Sequence, residues 1–315
     1  MIDLDRCPEV LGEIGAVCDV DYLPPNRDTL LKKIAEYDIF WGHVGLKVNR
    51  DILAAGKRLK LVATASTGRD HIDLETAERF GIHVMSLRDD PEILKRFTAT
   101  AELAWLHLLG AVRNIRPATE RVLEGGWRSE SFIGRQLFGK TLGVLGVGRL
   151  GKMMARFGQA FRMRVLGCDL RPFDLPGVEQ VDHDTLYRCA DFVTIHVHLD
   201  EKNYHLVDKD AFSKMKDGVI LINTSRGDVI DEEALLENLR NGKVAAAGLD
   251  VISDEWRSDM GTHPLVQYAK EHKNLVITPH IGGCTRDSLI EARRHTAQKI
   301  ARFVQEGFSA SDDLG

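Results

Sequence analysis

The chain alternates short apolar runs with amphipathic segments, and it does so in two separate stretches. In the first stretch the apolar runs are 38–43, 59–66 and 82–87, and polar segments with helical character lie between them. From residue 140 onward the runs are longer and more continuous, as in TLGVLGVG and GVILINTS. Apolar runs that alternate with helical segments are typical of parallel strands covered on both faces. The sequence therefore predicts two α/β units.

Two long helical segments separate these units. Residues 96–117 carry apolar side chains three and four positions apart, which predicts one helix, and 286–307 has the pattern of an amphipathic helix. Because this final helix can return to the first unit, we expect that unit to be discontinuous. The predicted architecture is α/β, with two Rossmann-like, doubly wound parallel-sheet domains. Residues 98–283 form one domain, inserted into a discontinuous domain made of 1–97 and 284–315.

Composition and charge exclude several classes of protein. Of the 315 residues, 43% are hydrophobic and 28% are charged, which rules out a wholly disordered chain, a collagen-like chain and a disulfide scaffold. The net charge of −5 provides no electrostatic basis for binding nucleic acid or an anionic membrane. We therefore expect a small-molecule partner and neither a nucleic-acid nor a membrane partner.

The cysteines and the start of the chain bear on metal binding and localisation. The five cysteines have no CxxC spacing, which argues against a zinc site, and we expect no metal. The first residues have no apolar signal segment, and the most apolar helical stretch, 101–112, is too short to span a bilayer. We expect a cytoplasmic protein with reduced thiols.

A glycine-rich turn stands between an apolar run and a helical segment. Gly146, Gly148 and Gly151 are spaced G-x-G-x-x-G, after TLGVL and at the start of RLGKMMARF. In this context the first glycine permits a tight turn, the second lets the backbone approach a pyrophosphate, and the third lets the helix pack on the strand. The pyrophosphate would lie at the free N–H groups of the helix start. The turn therefore predicts a dinucleotide site.

An acidic residue ends the next apolar run. Asp169 follows Gly151 in the spacing expected for a dinucleotide-binding carboxylate. A carboxylate there would accept hydrogen bonds from the ribose hydroxyls and repel a 2′-phosphate, which favours NAD over NADP. Arg171 is a basic residue nearby that could tolerate NADP. We expect NAD as the cofactor.

Three later apolar runs end in polar residues that suit acid–base chemistry. Arg226 follows GVILINTS, Glu255 comes after VAAAGLDV, and His280 stands in NLVITPHIGG. The carboxyl ends of parallel strands share one edge of a sheet, so we expect these three side chains to converge. Arginine can bind a carboxylate through two donors, and histidine exchanges a proton near neutral pH. Taken singly, each residue also has an ordinary explanation: a helix cap, a solvated carboxylate or a core histidine.

The order of these motifs resembles that of the D-isomer-specific 2-hydroxyacid dehydrogenases. GVGRLG, Asp169, NTSRG, GLDV with Glu255, and TPHIGG follow one another along most of the chain. The resemblance implies hydride transfer between NAD and a D-2-hydroxy acid or its 2-oxo acid. It also implies that the discontinuous domain is flavodoxin-like and binds the substrate, that the inserted domain binds NAD, and that a homodimer forms through the NAD-binding domain. His280 would be the general acid/base, Glu255 its partner, and Arg226 the residue that binds the substrate carboxylate and carbonyl.

The resemblance implies a wider set of contacts. Thr67 and Gly68, together with Arg226 and His280, would bind the small anionic substrate, and Asp250 would contact the nicotinamide carboxamide. The residues expected around the cofactor are Thr100, Gly146, Gly148, Arg149, Leu150, Gly151, Asp169, Val197, His198, Asn203, Thr224, Ser225, Asp250, Gly282 and Gly283.

One alternative class and one open question remain at this point. Some proteins with this fold are NAD(H)-sensing transcriptional corepressors, which bind the cofactor and a peptide partner with little turnover. The sequence has no long disordered flank, which argues against that class, and turnover would discriminate between the two. The segments 87–102 and 256–268 depart from the family pattern, so the sequence does not predict which 2-hydroxy acid is used.

Overall fold

Residues 8–24 and 26–308 are described by a computed structural model. The chain divides into two compact units, Met1–Phe97 with Thr285–Gly315, and Thr98–Cys284. It leaves the first unit once, forms the whole of the second, and then returns to the first. Each unit contains a parallel sheet with helices between its strands, so the α/β class predicted from the alternation is confirmed.

The amino-terminal part of the first unit forms a small parallel sheet. Its helices and strands are α1 (Pro8–Gly15), α2 (Arg27–Lys33), β1 (Ile39–Gly42), α3 (Arg50–Ala55), β2 (Leu61–Thr64), α4 (Leu74–Arg79), β3 (His83–Met85) and α5 (Pro91–Leu94). The strands pair in the order β1-β2-β3, with Leu61 between Ile39 and His83. Side chains that accept backbone N–H groups cap the helix starts, as Asn26 does at α2 and Asp73 at α4.

The second unit is built on a larger parallel sheet. Its helices and strands are α6 (Ala99–Val112), α7 (Ile115–Leu123), β4 (Thr141–Leu145), α8 (Arg149–Ala160), β5 (Arg164–Cys168), β6 (Val178–Gln180), α9 (His183–Cys189), β7 (Phe192–Ile195), α10 (Lys209–Lys214), β8 (Val219–Asn223), α11 (Glu232–Arg240), β9 (Val244–Leu249), α12 (Pro264–Glu271) and β10 (Leu275–Ile277). The strands lie in the order β10-β9-β8-β7-β4-β5-β6. The chain reverses direction across the sheet between β4 and β7, and ligands bind outside the carboxyl ends of strands at such a switch point.

Buried side chains cover both faces of the larger sheet. On β8, Leu221 packs in a cluster with residues of α9, α10, α11 and α12. Its neighbours Ile220 and Ile222 face the other side and pack with residues of α6 and α8. Every residue of β4 and β8 is buried, as expected of parallel strands between two helical layers.

The last described helix, α13 (Arg286–Gln305), completes the first unit. Its Ile300 is fully buried in one cluster with Val10 of α1 and Leu61 of β2. On the opposite face of the sheet, Val62 packs with Ile52 of α3 in a second cluster. Successive residues of β2 therefore face different helical layers, as the period of a strand requires.

One predicted helix is divided in two. The apolar spacing predicted a single helix over 96–117, but α6 ends at Val112 and α7 starts at Ile115. Between them Asn114 has a φ of +52°, in the left-handed region that asparagine adopts more readily than most residues. The prediction of one helix was wrong because apolar residues on both sides of the break continue the same pattern. Helix α1 and strand β6 were not predicted.

The described residues also bear on membranes and metals. None of the described helices has both the length and the apolar character needed to cross a bilayer. In residues 8–24 and 26–308, no three His, Cys, Asp or Glu side chains are grouped so that they could hold a metal ion. Cys7, one of the five cysteines, lies outside the described residues.

Candidate active site

The glycine turn lies between β4 and α8, at the switch point of the larger sheet. Gly146 has a φ of +85°, and a Cβ there would lie 2.7 Å from the carbonyl oxygen of His196. A Cβ at Gly151 would overlap the carbonyl oxygen of Gly146. These two positions therefore require glycine, because other backbone approaches them too closely for a side chain. No described atom lies within 4 Å of where a Cβ of Gly148 would project, so that side of the turn is open to a ligand.

The start of α8 is a helix N-terminus at the glycine turn. Gly148 is its N-cap residue and makes no side-chain cap hydrogen bond. The N–H groups of a first helical turn and the positive end of the helix dipole suit a pyrophosphate. Arg149 and Leu150, the first residues of the helix, are half-buried, and burial lowers the pKa of the Arg149 guanidinium. The turn and the helix start thus have the shape and polarity that a dinucleotide needs.

Asp169 holds the turn from the neighbouring strand. Its Oδ2 accepts the N–H of Val147 at 2.7 Å, and its Oδ1 accepts the N–H of Arg171 at 3.0 Å. The carboxylate is half-buried just after β5. It lies next to the glycine turn and also stabilises that turn, a role that the sequence did not predict.

Two buried polar atoms after neighbouring strands lack a partner. Oγ1 of Thr224, after β8, and Nδ1 of His196, after β7, have no hydrogen-bond partner among the described residues. Burial lowers the pKa of His196 to about 3, so its ring is neutral. Buried polar groups are normally bonded, and those that are not invite a ligand or water. His196 was not among the predicted contacts, although its position directly after an apolar run was an available signal.

The other predicted cofactor residues follow β7 or lie at the loop after β10. Val197 contacts the glycine turn, because its Cγ1 would lie 3.0 Å from a Cβ added to Gly146. The Nδ2 of Asn203 donates to the carbonyl oxygen of His198 at 2.8 Å. Gly282 lies against Thr100, whose Cγ2 would be 3.1 Å from an added Cβ. Gly283 follows in the same loop and is exposed.

The carboxylate of Asp250 organises the loop that follows β10. This residue is 1% exposed, and its Oδ1 accepts the hydroxyl of Thr278 at 2.6 Å and the N–H of Ile281 at 2.9 Å. Its Oδ2 accepts the N–H of Gly282 at 2.7 Å. A buried charge is tolerated only when it is paired or hydrogen-bonded, and these three donors meet that need. Contact between Asp250 and the nicotinamide carboxamide stays a prediction.

His280 lies opposite Glu255 in a strained backbone conformation. Its φ is +52°, and its N–H donates to the carbonyl oxygens of Asp250 and Thr278. The imidazole Nδ1 donates to Oε1 of Glu255 at 2.6 Å, and the two side chains are 26% and 18% exposed. The ring of Trp256 lies 6.2 Å from the imidazole between centroids. Left-handed conformations of residues other than glycine cost free energy and persist where the surrounding structure holds them.

Arg226 follows β8 in a turn that Asn223 holds. The Oδ1 of Asn223 accepts both the N–H and the hydroxyl of Ser225, and its Nδ2 donates to the carbonyl oxygen of Arg226. One guanidinium nitrogen of Arg226 donates to the carbonyl oxygen of Ser225 at 2.7 Å. Asn223 is fully buried, so the turn is anchored in the core of the second unit.

Strand register brings these segments to one edge of the sheet. The last residues of β8, β9 and β10, which are Asn223, Leu249 and Ile277, are paired in register. Arg226 and His280 therefore leave the sheet at the same edge, each three residues beyond its strand. Of the predicted catalytic residues, the structure brings His280 and Glu255 into direct contact.

Thr67 and Gly68, the other predicted substrate residues, belong to the first unit and follow β2. The hydroxyl of Ser66 donates to the carbonyl oxygen of Gly68 at 2.9 Å and lies 3.0 Å from Oγ1 of Thr64. Gly68 is buried and Thr67 is half-buried. The roles of both residues stay predictions.

A second histidine–carboxylate pair lies next to the loop that carries Glu255. The Oε1 of Glu232 accepts the N–H of Ser253 at 2.6 Å, and Nε2 of His263 donates to the carbonyl oxygen of Ser253 at 3.1 Å. Nδ1 of His263 accepts the N–H of Leu265, so the ring proton is on Nε2. Burial lowers the pKa of His263, which agrees with a neutral ring. Neither residue was predicted from the sequence. Glu232 resembles any acidic residue at a helix start.

Comparison with known proteins decides the family. Residues 105–282 match the family model described as D-isomer specific 2-hydroxyacid dehydrogenase, NAD binding domain. The chain belongs to this family. A hydroxypyruvate reductase of Thermotoga maritima is 41% identical over 277 residues, 87% of either chain. A glyoxylate reductase of Aeropyrum pernix is 34% identical over 313 residues, which cover 95% of this chain and 90% of the relative.

Solved structures of the family have the same fold. The D-lactate dehydrogenase of Aquifex aeolicus, complexed with NAD and lactic acid, matches with a TM-score of 0.83 and 29% identity, over 98% of this chain and 95% of that one. This 2-hydroxyacid dehydrogenase is therefore an NAD-dependent oxidoreductase, and the predicted cofactor is confirmed. The open side of Gly148 and the unpartnered Oγ1 of Thr224 fit the bound dinucleotide.

The glycine turn yields a prediction with two contrasting variants. We expect Gly148→Ala to keep the wild-type melting temperature but to bind NADH about tenfold more weakly, or ~1.4 kcal/mol, because its methyl group enters the open space. Gly151→Ala should destabilise the fold by about 1–3 kcal/mol, since its methyl group meets backbone. Thermal melts and NADH fluorescence titration measure both effects.

Gly110→Ala, with open space around it, is the control. Wild-type NADH affinity in Gly148→Ala would contradict this view of the turn.

The pair behind the Glu255 loop yields a prediction on pH and stability. Burial, together with the smaller effect of the charge of Asp228, raises the pKa of Glu232 to about 7. Because an unfolded glutamate has its ordinary lower pKa, the folded protein binds the extra proton between these values, and its stability falls as pH rises. Glu232→Gln has no carboxyl group to titrate. The difference in free energy of unfolding between this variant and the wild type should therefore shift by about 2–3 kcal/mol in favour of the variant from pH 5 to pH 8. Urea unfolding at both pH values measures the difference, and a constant difference would refute the assignment.

Proposed function

We propose that this enzyme interconverts a D-2-hydroxy acid and its 2-oxo acid, with His280 as the general acid/base. The observation that carries the proposal is the 2.6 Å hydrogen bond from Nδ1 of His280 to Oε1 of Glu255. This bond leaves Nε2 of the ring to exchange a proton with the substrate oxygen. A carboxylate partner favours the imidazolium form and fixes the orientation of the ring.

The protonation state of His280 sets the direction of the chemistry. In reduction, the carbonyl oxygen becomes an alcohol and takes its proton from the imidazolium. In oxidation, the neutral ring accepts the hydroxyl proton. Bound NAD supplies the hydride acceptor or, in its reduced form, the hydride donor. A proton transfer by a positioned side chain contributes about 10²–10⁴-fold to the rate.

The substrate carboxylate requires positive charge and N–H donors. Arg226 offers a planar pair of donors that matches a carboxylate, and it leaves the sheet at the same edge as His280. We assign it to the carboxylate and the carbonyl oxygen. The backbone N–H groups of Thr67 and Gly68 are the proposed donors from the first unit, on the strength of the family resemblance.

Relatives suggest which substrates and which cofactor to test first. Proteins named hydroxypyruvate reductase and glyoxylate reductase are 41% and 34% identical to this chain, which favours a short 2-oxo acid. For the cofactor we propose a preference for NAD over NADP. The carboxylate of Asp169 lies beside the glycine turn, where it would repel a 2′-phosphate.

An apolar surface on the second unit supports a homodimer formed through the NAD-binding domain. Large hydrophobic side chains are exposed along one stretch of that unit, and Trp127 is 87% exposed. Exposed apolar surface of this kind marks protein–protein contact, and a second copy of the chain is the proposed partner. The exposed residues of this stretch are Leu106, Ile115, Val122, Leu123, Trp127, Ile133, Phe138 and Phe161.

The catalytic assignment predicts distinct defects in two variants. His280→Ala should bind NADH like the wild type but reduce glyoxylate or hydroxypyruvate about 10²–10⁴-fold more slowly. Glu255→Gln keeps a hydrogen-bond acceptor but loses the charge that stabilises the imidazolium. Its turnover in reduction should therefore fall with NADH affinity unchanged, because the imidazolium that donates the proton loses its negatively charged partner.

The measurement is NADH absorbance at 340 nm with a panel of 2-oxo acids, over a range of pH and in both directions. His272→Ala, which removes an exposed histidine after α12, is the control and should match the wild type. Wild-type turnover in His280→Ala would refute the acid/base assignment. Wild-type turnover in Glu255→Gln would mean that Glu255 is not its partner.

The proposed homodimer has its own test. We expect Trp127→Glu to lower the sedimentation-equilibrium mass from that of a dimer to that of a monomer at micromolar concentration, because burying the introduced carboxylate is costly. Phe80→Glu, which places a charge on an exposed aromatic position of the first unit, should leave the dimer intact. A wild-type protein that sediments as a monomer would refute the proposal.

A further inference from the structure

Ser253 is held through its backbone N–H and its carbonyl oxygen by two side chains from different helices. Glu232, the first residue of α11, accepts the N–H of Ser253 at Oε1, at 2.6 Å. His263, which caps the start of α12, donates from Nε2 to the carbonyl oxygen of Ser253. His263 is 4% exposed, so this contact is shielded from water. Such an arrangement leaves Ser253 little freedom to shift or rotate.

The peptide that precedes Ser253 also contacts the turn of Arg226. A Cβ added to Gly227 would overlap the carbonyl carbon of Ile252 and the nitrogen of Ser253. Gly227 directly follows Arg226, so the Ile252–Ser253 peptide packs against the Arg226 turn. This contact is independent of the hydrogen bonds of Glu232 and His263.

Glu255 comes two residues after Ser253 in the same loop. Asp254 lies between them with a φ of +51°, a left-handed conformation that fixes how the chain leaves Ser253. The next residue, Glu255, reaches Nδ1 of His280. One short segment thus connects the Arg226 turn on one side with the carboxylate partner of His280 on the other.

We propose that Glu232 and His263 are positioning residues for the acid/base pair. By holding Ser253 they fix Glu255 at hydrogen-bond distance from His280 and set its separation from Arg226. This inference rests on the proposed roles of Glu255 and His280. Displacing a catalytic group by a fraction of its hydrogen-bond length lowers the rate without removing any group that contacts the substrate.

Two substitutions of His263 separate its two side-chain hydrogen bonds. His263→Asn keeps an acceptor for the N–H of Leu265 at the start of α12 but is too short to reach Ser253. His263→Gln has its amide nitrogen near the position of Nε2, so it can still donate to Ser253 while losing the cap. We expect kcat for glyoxylate reduction to fall about tenfold in His263→Asn and to recover most of that loss in His263→Gln, with NADH affinity unchanged in both.

A double-mutant cycle then tests whether the effect passes through Glu255. In a Glu255→Gln background, His263→Asn should lower kcat by less than twofold, because the interaction that it positions is already weakened. Glu232→Ala should behave like His263→Asn in both backgrounds, and it carries the test if the histidine variant fails to fold. Gly261→Ala adds a methyl group in open space near His263 and is the matched control, with wild-type kcat expected.

The outcomes separate this inference from the proposed function. If Glu255→Gln itself has wild-type kcat and pH profile, the proposed acid/base pair is wrong. If Glu255→Gln is impaired but His263→Asn and Glu232→Ala are not, the positioning role is wrong. It is equally wrong if their losses multiply in full with that of Glu255→Gln, or if His263→Gln is as impaired as His263→Asn.

Discussion

The buried carboxylate of Asp250 is the interaction on which the edge of the larger sheet depends. In the described part of the chain its hydrogen bonds come from a hydroxyl and two backbone N–H groups, and all three donors belong to the loop after β10. Leaving a buried acceptor unsatisfied costs about 1–3 kcal/mol, and more when it is charged. The loop must therefore keep the shape that presents these donors. The conformation of His280, which lies within that loop, follows from this requirement.

The site is built mainly from backbone held by buried side chains. Asn223 bonds the turn of Arg226, Asp250 bonds the loop of His280, and Glu232 bonds the segment before Glu255. Each of these polar groups lies at the carboxyl end of a strand or at a helix start, where backbone groups lack regular partners. Loops and turns that buried side chains hold in place thus carry the reactive side chains, which is the condition for a preorganised site.

Local pattern was sufficient for some features and insufficient for others. The apolar runs revealed the parallel strands because burial on both faces leaves little choice of residue, and Gly146 and Gly151 were visible because no side chain fits there. The break at Asn114 was missed, since one residue in a left-handed conformation leaves the apolar period almost unchanged. The contact between Glu232 and His263, whose Oε2 and Nε2 lie 3.4 Å apart, was also missed. It joins helix starts that are distant in sequence, and neither residue has a local pattern that points to the other.

The discontinuity of the first unit has a consequence for synthesis. Val10 of α1 packs against α13, whose residues are made only after the whole of the second unit. An apolar face of the first sheet therefore stays uncovered while the second unit is being synthesised. The second unit contains its own two clusters of buried residues and can fold during this interval. The second unit can thus be folded before the first is complete, although most residues of the first unit are made earlier.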